Sequence, residues 1–220
     1  MARRINHLSL TLILLGSGCS GWNTSGAGQL NEQGVEYLAQ NNLKQAHSSF
    51  VEAWKQDPTN PDTLYNLATT YHQHGQIKEA EQYYRQALQR NSNHAECRHN
   101  YYLLLVSEGR TNEAVADAES WVKTSPQSAD ALTQLGWLTR LQGDQPAAQK
   151  YLQQALTIKP DQKDALLEMG KLYQDFQMYD RAGGLYRRVL QQYPDNIEAK
   201  ALLAGLKENS SATSMQPPTQ

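Results

Sequence analysis

NPDTLYNLATTYHQHGQIKEAEQYYRQALQRNSNH, residues 60–94, is the stretch from which the rest of the chain can be read. Asn60-Pro61 is a helix start: an amide that can cap free N–H groups, then proline at the first helical position, where its missing N–H costs nothing. Leu64, Leu67, Ala68 and Tyr71 follow at helical spacing and make one apolar face. Gly75 interrupts the pattern. Ile77, Ala80, Tyr84, Ala87 and Leu88 then make a second apolar face. The stretch is a helical hairpin, and one hairpin cannot bury its own apolar face. It must stack on neighbours.

The neighbours are in the sequence. Ala46, Ala80, Ala114, Ala148 and Ala182 recur every 34 residues, with no insertion or deletion between them. Twelve residues after each alanine stand Pro58, Ser92, Pro126, Pro160 and Pro194, and seven after stand Ala53, Ala87, Trp121, Ala155 and Val189. Twelve before stand Gly34, Ala68, Tyr102, Gly136 and Gly170. Gly109 and Gly143 repeat the phase of Gly75. Small residues locked at fixed phases of one period describe an array of helix pairs whose backbones approach closely.

This pattern resembles the tetratricopeptide repeat (TPR), which has a bulky residue at position 4, a small one at 8, an aromatic at 11, alanine at 20, an aromatic at 24, alanine at 27 and proline at 32. Position 4 holds Leu30, Leu64, Arg98, Leu132 and Leu166; position 24 holds Phe50, Tyr84, Ala118, Leu152 and Tyr186. The third copy departs most, with Arg98, Tyr102 and Ala118 against the pattern, and Trp121 is expected to fill the volume that Ala118 leaves. The resemblance implies an all-α, right-handed α-solenoid of five units at 27–60, 61–94, 95–128, 129–162 and 163–196. Residues 197–208 begin a sixth copy and stop. Asn196 can cap that helix, and Ile197, Ala201, Leu202 and Leu206 can cover the last interface. The Ser/Thr/Pro/Gln-rich end, 209–220, reads as disordered.

The first residues are of another kind. Arg3 and Arg4, the apolar run 8–15 and Gly16-Ser17-Gly18-Cys19 have the order of a bacterial export signal. The small residues before Cys19 resemble a lipoprotein signal, which implies acylation of Cys19 after cleavage. The departure is Gly16 where that family has leucine. Residues 20–28 read as a short Gly/Ser-rich tether. Ser20 after the cysteine points to the outer membrane, so the expectation is an exported protein held at the outer membrane or its periplasmic face by a lipid anchor. No apolar run reaches the eighteen or so residues needed to span a bilayer. Cys97, the other of two cysteines, has no resolving partner and reads as a buried, inert thiol.

Net charge is −2, so no basic excess drives nucleic-acid binding. Function must lie in surfaces. The resemblance implies a concave face built from the first helix of each unit. That face offers Tyr65, Asn66, Thr69 and His72, then His99, Asn100 and Leu103, then Gln134, Trp137 and Arg140, and finally Glu168, Lys171 and Gln174. It reads as an uncharged, amide-rich groove with rings at its middle, suited to protein or peptide partners in extended form. Asp62, Glu96, Asp130, Asp164 and Glu198 share position 2. Each is expected in the first turn of a helix, where a carboxylate favours the dipole, rather than in a ladder for a basic partner. TPR domains that grip a C-terminal carboxylate would place their clamp at Asn31, Val35, Asn66, Glu96 and Asn100; only Asn66 matches, and Glu96 would repel the carboxylate.

No catalytic, metal or cofactor constellation is evident. His72 and His74 point to different faces, and His47, His94 and His99 lack the spacing to cysteine or carboxylate that a ligand set needs. Gly183-Gly184 interrupts the second helix of copy five at about 1 kcal/mol each, so Gly183→Ala should stabilise unless something approaches closely. Export signal, cysteine and array together resemble small TPR lipoproteins of type IV and tight-adherence pili. The implied function is a non-enzymatic scaffold or adaptor for complex assembly. The alternative is an accessory subunit of an envelope enzyme system, such as cytochrome maturation or exopolysaccharide synthesis.

Overall fold

A computed structural model describes residues 26–213. Cys19, the export signal and the end of the chain from 214 lie outside the described residues. Eleven α-helices and no strand are present among them: α1 (Gly26–Ala39), α2 (Leu43–Gln56), α3 (Pro61–Gln73), α4 (Ile77–Arg90), α5 (Ala95–Ser107), α6 (Thr111–Thr124), α7 (Ala129–Leu141), α8 (Gln145–Ile158), α9 (Lys163–Asp175), α10 (Tyr179–Gln192) and α11 (Ile197–Thr213). The fold is all-α, and the helices pair at the expected period. Two bounds differ from the sequence reading. Gly26–Gly28 belong to α1 rather than to a tether, and α11 continues to Thr213, so 209–213 are helical.

The described residues divide into two compact units, with the boundary between Cys97 and Arg98 inside α5. In the first, α1 packs on α2, α2 on α3 and α3 on α4. In the second, α7 packs on α8 and α9, α8 on α9, α9 on α10 and α10 on α11.

Several starts and stops follow from local chemistry. Asn60 Oδ1 accepts from the N–H groups of Asp62 and Thr63 at 2.9 and 3.1 Å, with Pro61 behind it. Ser128 and Asn196 cap α7 and α11 from the same register position. The turn inside each hairpin is closed by a residue of positive φ: Gly75 at 72°, Gly109 at 75° and Gly143 at 86°. Gln76 N–H donates to Tyr71 O at 2.9 Å and Gly75 N–H to His72 O at 3.0 Å, the paired bonds that end a helix over a left-handed residue. The outer copies reach the same conformation without glycine, at Asn41 (φ 56°) and Gln177 (φ 60°).

Within a hairpin, positions 8 and 24 meet. The ring of Phe50 occupies the space that a Cβ on Gly34 would need, and the ring of Tyr186 does the same at Gly170. Leu152 fills the corresponding space at Gly136. Copy three reverses the sizes. Tyr102 is fully buried at the small position, and Ala118 takes the place of the ring. Tyr102, rather than Trp121, therefore replaces the missing aromatic. Its hydroxyl donates to Asp117 Oδ2 at 2.7 Å and accepts from Arg98 Nη1 at 3.3 Å, and Arg98 is ion-paired with Asp117. Trp121 is buried beside them, with the Arg98 guanidinium 4.7 Å from its ring centroid. The three departures of this copy form one co-adapted cluster.

Cys97 is buried, its Sγ donating to Tyr84 O at 3.7 Å. The five repeating alanines are fully buried. Of the two adjacent glycines in α10, Gly183 faces α11, where a Cβ would lie 3.5 Å from Leu206 and 3.6 Å from Leu203; Gly184 faces open space.

Candidate functional site

The first helix of each pair presents the side chains expected to meet a partner, and the two units carry different sets. In the first unit, Asn66 Nδ2 donates to Asn31 Oδ1 at 3.0 Å, linking α3 to α1. Thr69 is buried and donates back to Tyr65 O at 3.0 Å. Tyr65 is half-buried, its ring 4.9 Å from His94 and 6.4 Å from Tyr84, and burial pushes its hydroxyl up to about 12. His72 is half-buried, edge-on to Tyr84 at 6.2 Å. Asn66 thus ties α3 to α1, Thr69 turns back onto its own helix with Tyr84 OH at 3.5 Å, and Tyr65 and His72 form the accessible part.

His94 departs from the sequence reading, because carboxylates do lie beside it. Nε2 is 3.3 Å from Asp62 and Nδ1 3.3 Å from Glu96. Burial favours the neutral ring, but the bonds to Asp62 and Glu96 outweigh it and carry the pKa up to about 9. The raised pKa favours the imidazolium at neutral pH, with the ring set between the first turns of α3 and α5. The N–H of Cys97 also points at Nδ1 at 3.4 Å, a contact that only the neutral ring accepts, and the two carboxylates decide against it. The spacing that could have found this pair is 32 residues, from position 2 to the cap of the next unit. Asp130 and Gln162 repeat it with a hydrogen bond. The position-2 acids do stand in first turns, as expected. Among the described residues, no group of three or more His, Cys, Asp or Glu could hold a metal.

In the second unit, His99, Gln134 and Trp137 form one cluster. His99 Nδ1–H donates to Gln134 Oε1 at 3.0 Å, and its ring lies 5.2 Å from that of Trp137. The bridge joins residues 35 apart, one repeat plus one, as do Asn31–Asn66 and Arg140–Asp175. Trp137 is only 9% exposed, Asn100 and Leu103 are half-buried, and Leu141, one turn beyond Trp137, is 44% exposed. Sequence reasoning missed Leu141, although its spacing of four from Trp137 places it on the same face.

The expectation of an uncharged groove does not hold. Arg140 Nε donates to Glu168 at 3.2 Å and Nη1 to Asp175 at 3.0 Å; Lys171 Nζ lies 2.6 Å from Glu168 and 2.7 Å from Glu198. Burial would lower both cationic pKa values, but the carboxylates offset it and raise them. The network spans α7, α9 and α11, and each cation has two counter-ions. Glu198 was legible as a first-turn acid. Its second role was not, because the bond to Lys171 crosses from α11 to α9, past the helix between them.

The same repeat is found in known proteins. The profile described as Tetratricopeptide repeat matches residues 37–99 and 139–206, and a second so described matches 103–165. The type IV pilus assembly protein PilF of Pseudomonas aeruginosa is 29% identical over 177 residues, 79% of this chain and 69% of that protein. A solved structure of Pseudomonas aeruginosa PilF superposes with a TM-score of 0.59 at 22% identity, covering 83% of this chain and 91% of that one. TTC0263, a TPR protein of Thermus thermophilus, superposes with a TM-score of 0.68 at 22% identity, covering 82% and 98%. With the repeat profile matched across more than half its length, the chain belongs to the tetratricopeptide repeat family.

Proposed function

We propose that this protein is a non-enzymatic scaffold of the bacterial envelope, anchored by lipid at Cys19, that brings protein partners together through the first-helix faces of its repeats in the assembly of a pilus or its secretin. The observation that carries the binding role is the accessible part of this face in the second unit, half-buried His99, Asn100 and Leu103 with exposed Leu141, set on buried Gln134 and Trp137. Rings and amides on one face can hold an extended backbone and the apolar side chains it presents. Similarity to PilF supports the pilus setting.

Two measurements test the reading. The intact mass of the protein extracted from its own membranes should correspond to a chain that begins at acylated Cys19. A chain retaining Met1 in the soluble fraction removes the anchor and the envelope. Cross-linking in the native envelope should then recover secretin or pilin subunits, whereas recovery of a haem-handling or glycosyltransferase complex replaces the pilus role with an accessory one.

A further inference from the structure

We propose that the turn end of the first-helix face in the second unit, where α7 and α9 finish, docks a partner segment that sets a basic residue beside an apolar one. The proposal rests on the binding role given to that face and adds the partner's chemistry.

The apolar part is not required by the fold. Arg140 Nη1 donates to Asp175 Oδ2 at 3.0 Å, so the ends of α7 and α9 stand side by side. Leu141 and Phe176 follow directly on those two residues, Met178 comes two later, and all three are exposed. The other four copies carry glutamine, histidine or glutamate at the phase of Phe176, and asparagine, glutamine, arginine or aspartate at that of Met178. None of the other copies has a large apolar residue at the phase of Leu141. Single exposed apolar side chains are ordinary, but three grouped on adjoining turns mark a contact surface.

The charge beside this patch selects the occupant. Glu168, Asp175 and Glu198 share two cations, Arg140 and Lys171, so three carboxylates less two cations leave one negative charge in excess. The charges are also layered. The side chains of Arg140 and Lys171 are 15% and 25% exposed, whereas those of Asp175 and Glu198 are each 40% exposed. A partner therefore meets carboxylate oxygens first. Arg181 is exposed at this edge too, but Asp180 precedes it, and its guanidinium lies against Met178 Sδ at 3.8 Å and 5.8 Å from the Tyr173 ring centroid. A lysine or arginine placed at Asp175 balances the network without displacing either resident cation, while its apolar neighbour covers Leu141 and Phe176. An acidic segment would add a fourth carboxylate. Such complementarity at the rim of an apolar contact decides which partner is accepted more than how tightly it is held.

The test selects phage-displayed random segments of about twelve residues, some 40 Å when extended, on the full-length chain. Binders are then ranked by their loss on four variants. Leu141→Ser and Phe176→Ser change exposed positions of the patch, and Asp175→Asn removes the excess charge while Arg140 keeps Glu168. His99→Ala probes the middle of the face. Binders that lose about tenfold on either patch variant define the site. They should carry lysine or arginine next to an apolar residue. They should also lose about threefold or more on Asp175→Asn, and as much between roughly 0.05 and 0.5 M salt, the worth of one exposed charge contact. Patch-dependent binders without a basic residue, or indifferent to Asp175→Asn, overturn the proposal and leave the face standing. Binders that lose affinity on His99→Ala but on neither patch variant do the same. A parent chain that sediments as a dimer, dispersed by Phe176→Ser, puts a second copy on the patch and also overturns it. Binders indifferent to all four substitutions, or no enriched binder, overturn the binding role of the face itself.

Discussion

Tyr102 donates its hydroxyl proton to Asp117 at 2.7 Å inside a hairpin whose four counterparts keep glycine or alanine at the same position. The volume that a ring or a leucine from the second helix supplies elsewhere is supplied here by the first. Tyr102→Ala alone should therefore destabilise by about 3–5 kcal/mol, the usual cost of emptying a buried aromatic site. Adding Ala118→Leu, which restores the arrangement of copy four, should recover part of that loss. Urea unfolding of the single and double variants checks this. Additive losses would mean that the two positions do not share one space.

Gln177 holds a left-handed conformation at φ 60° that glycine adopts freely. Gln177→Gly should stabilise by about 0.5–1 kcal/mol, against the usual direction for glycine substitutions. Asn41→Gly should do less, since asparagine tolerates this region. A lower unfolding midpoint for Gln177→Gly would show that the glutamine side chain contributes more than the strain removes.

Gly184 has nothing within 4 Å of the point where a Cβ would sit, so Gly184→Ala should raise stability by about 0.5–1 kcal/mol through helix propensity alone. Gly183→Ala should also stabilise, by less. Its nearest neighbour is Arg187 Nη1 at 3.3 Å, the end of a flexible chain, and the Leu203 and Leu206 contacts are ordinary. A fall in melting temperature for Gly183→Ala would mark the α10–α11 interface as too tight to accept a methyl group.

His94 ties stability to pH. Its pKa is raised from 6.5 to about 9, because the bonds to Asp62 and Glu96 outweigh burial. A raised pKa means that the stabilisation is complete below about 6.5 and is lost as pH climbs through 9. With Asp62 largely exposed, the effect is on the order of 1 kcal/mol. His94→Gln should flatten the decline between these limits. An equal decline in the variant would assign the pH dependence to other groups.

Trp137 is a poor probe of binding. At 9% exposure it is mostly core, and Trp137→Ala should cost about 3 kcal/mol before any partner is added. Melting of the variant without ligand decides this. An unchanged midpoint would place the ring on the surface.

Much of the fold is legible in the sequence because the repeat fixes it many times over. Alanines, turn glycines and caps recur at one phase, so an exception at Asn41 or Gln177 does not disturb the reading. Trp121 reads wrongly as the filler of copy three because period gives position but not which of two large residues enters a space; that depends on side-chain direction inside the hairpin. The face is harder to read. Arg140, Glu168 and Lys171 are each placed on it by their phase, yet their pairing with Asp175 and Glu198 runs between helices at spacings of 35 and 27 residues, invisible to a search within one helix. Asn66 and Gln134 are recognisable as amides on the face, but not as amides already bonded to Asn31 and His99.

The reversed sizes at positions 8 and 24 also bear on how such an array can change over generations. Units of equal length invite unequal crossing-over, and most cuts between them would leave a continuous helical pattern. A cut inside the hairpin joining the first helix of copy three to the second helix of copy two would set Tyr102 against Tyr84, two full-sized rings in a space built for one. The reciprocal join, Ala68 with Ala118, would leave a void where a ring belongs. A join through the turn of copy three is therefore the one that fails, whereas the other four copies, each small at position 8 and large at position 24, can be recombined through their turns as well as at the seams between them.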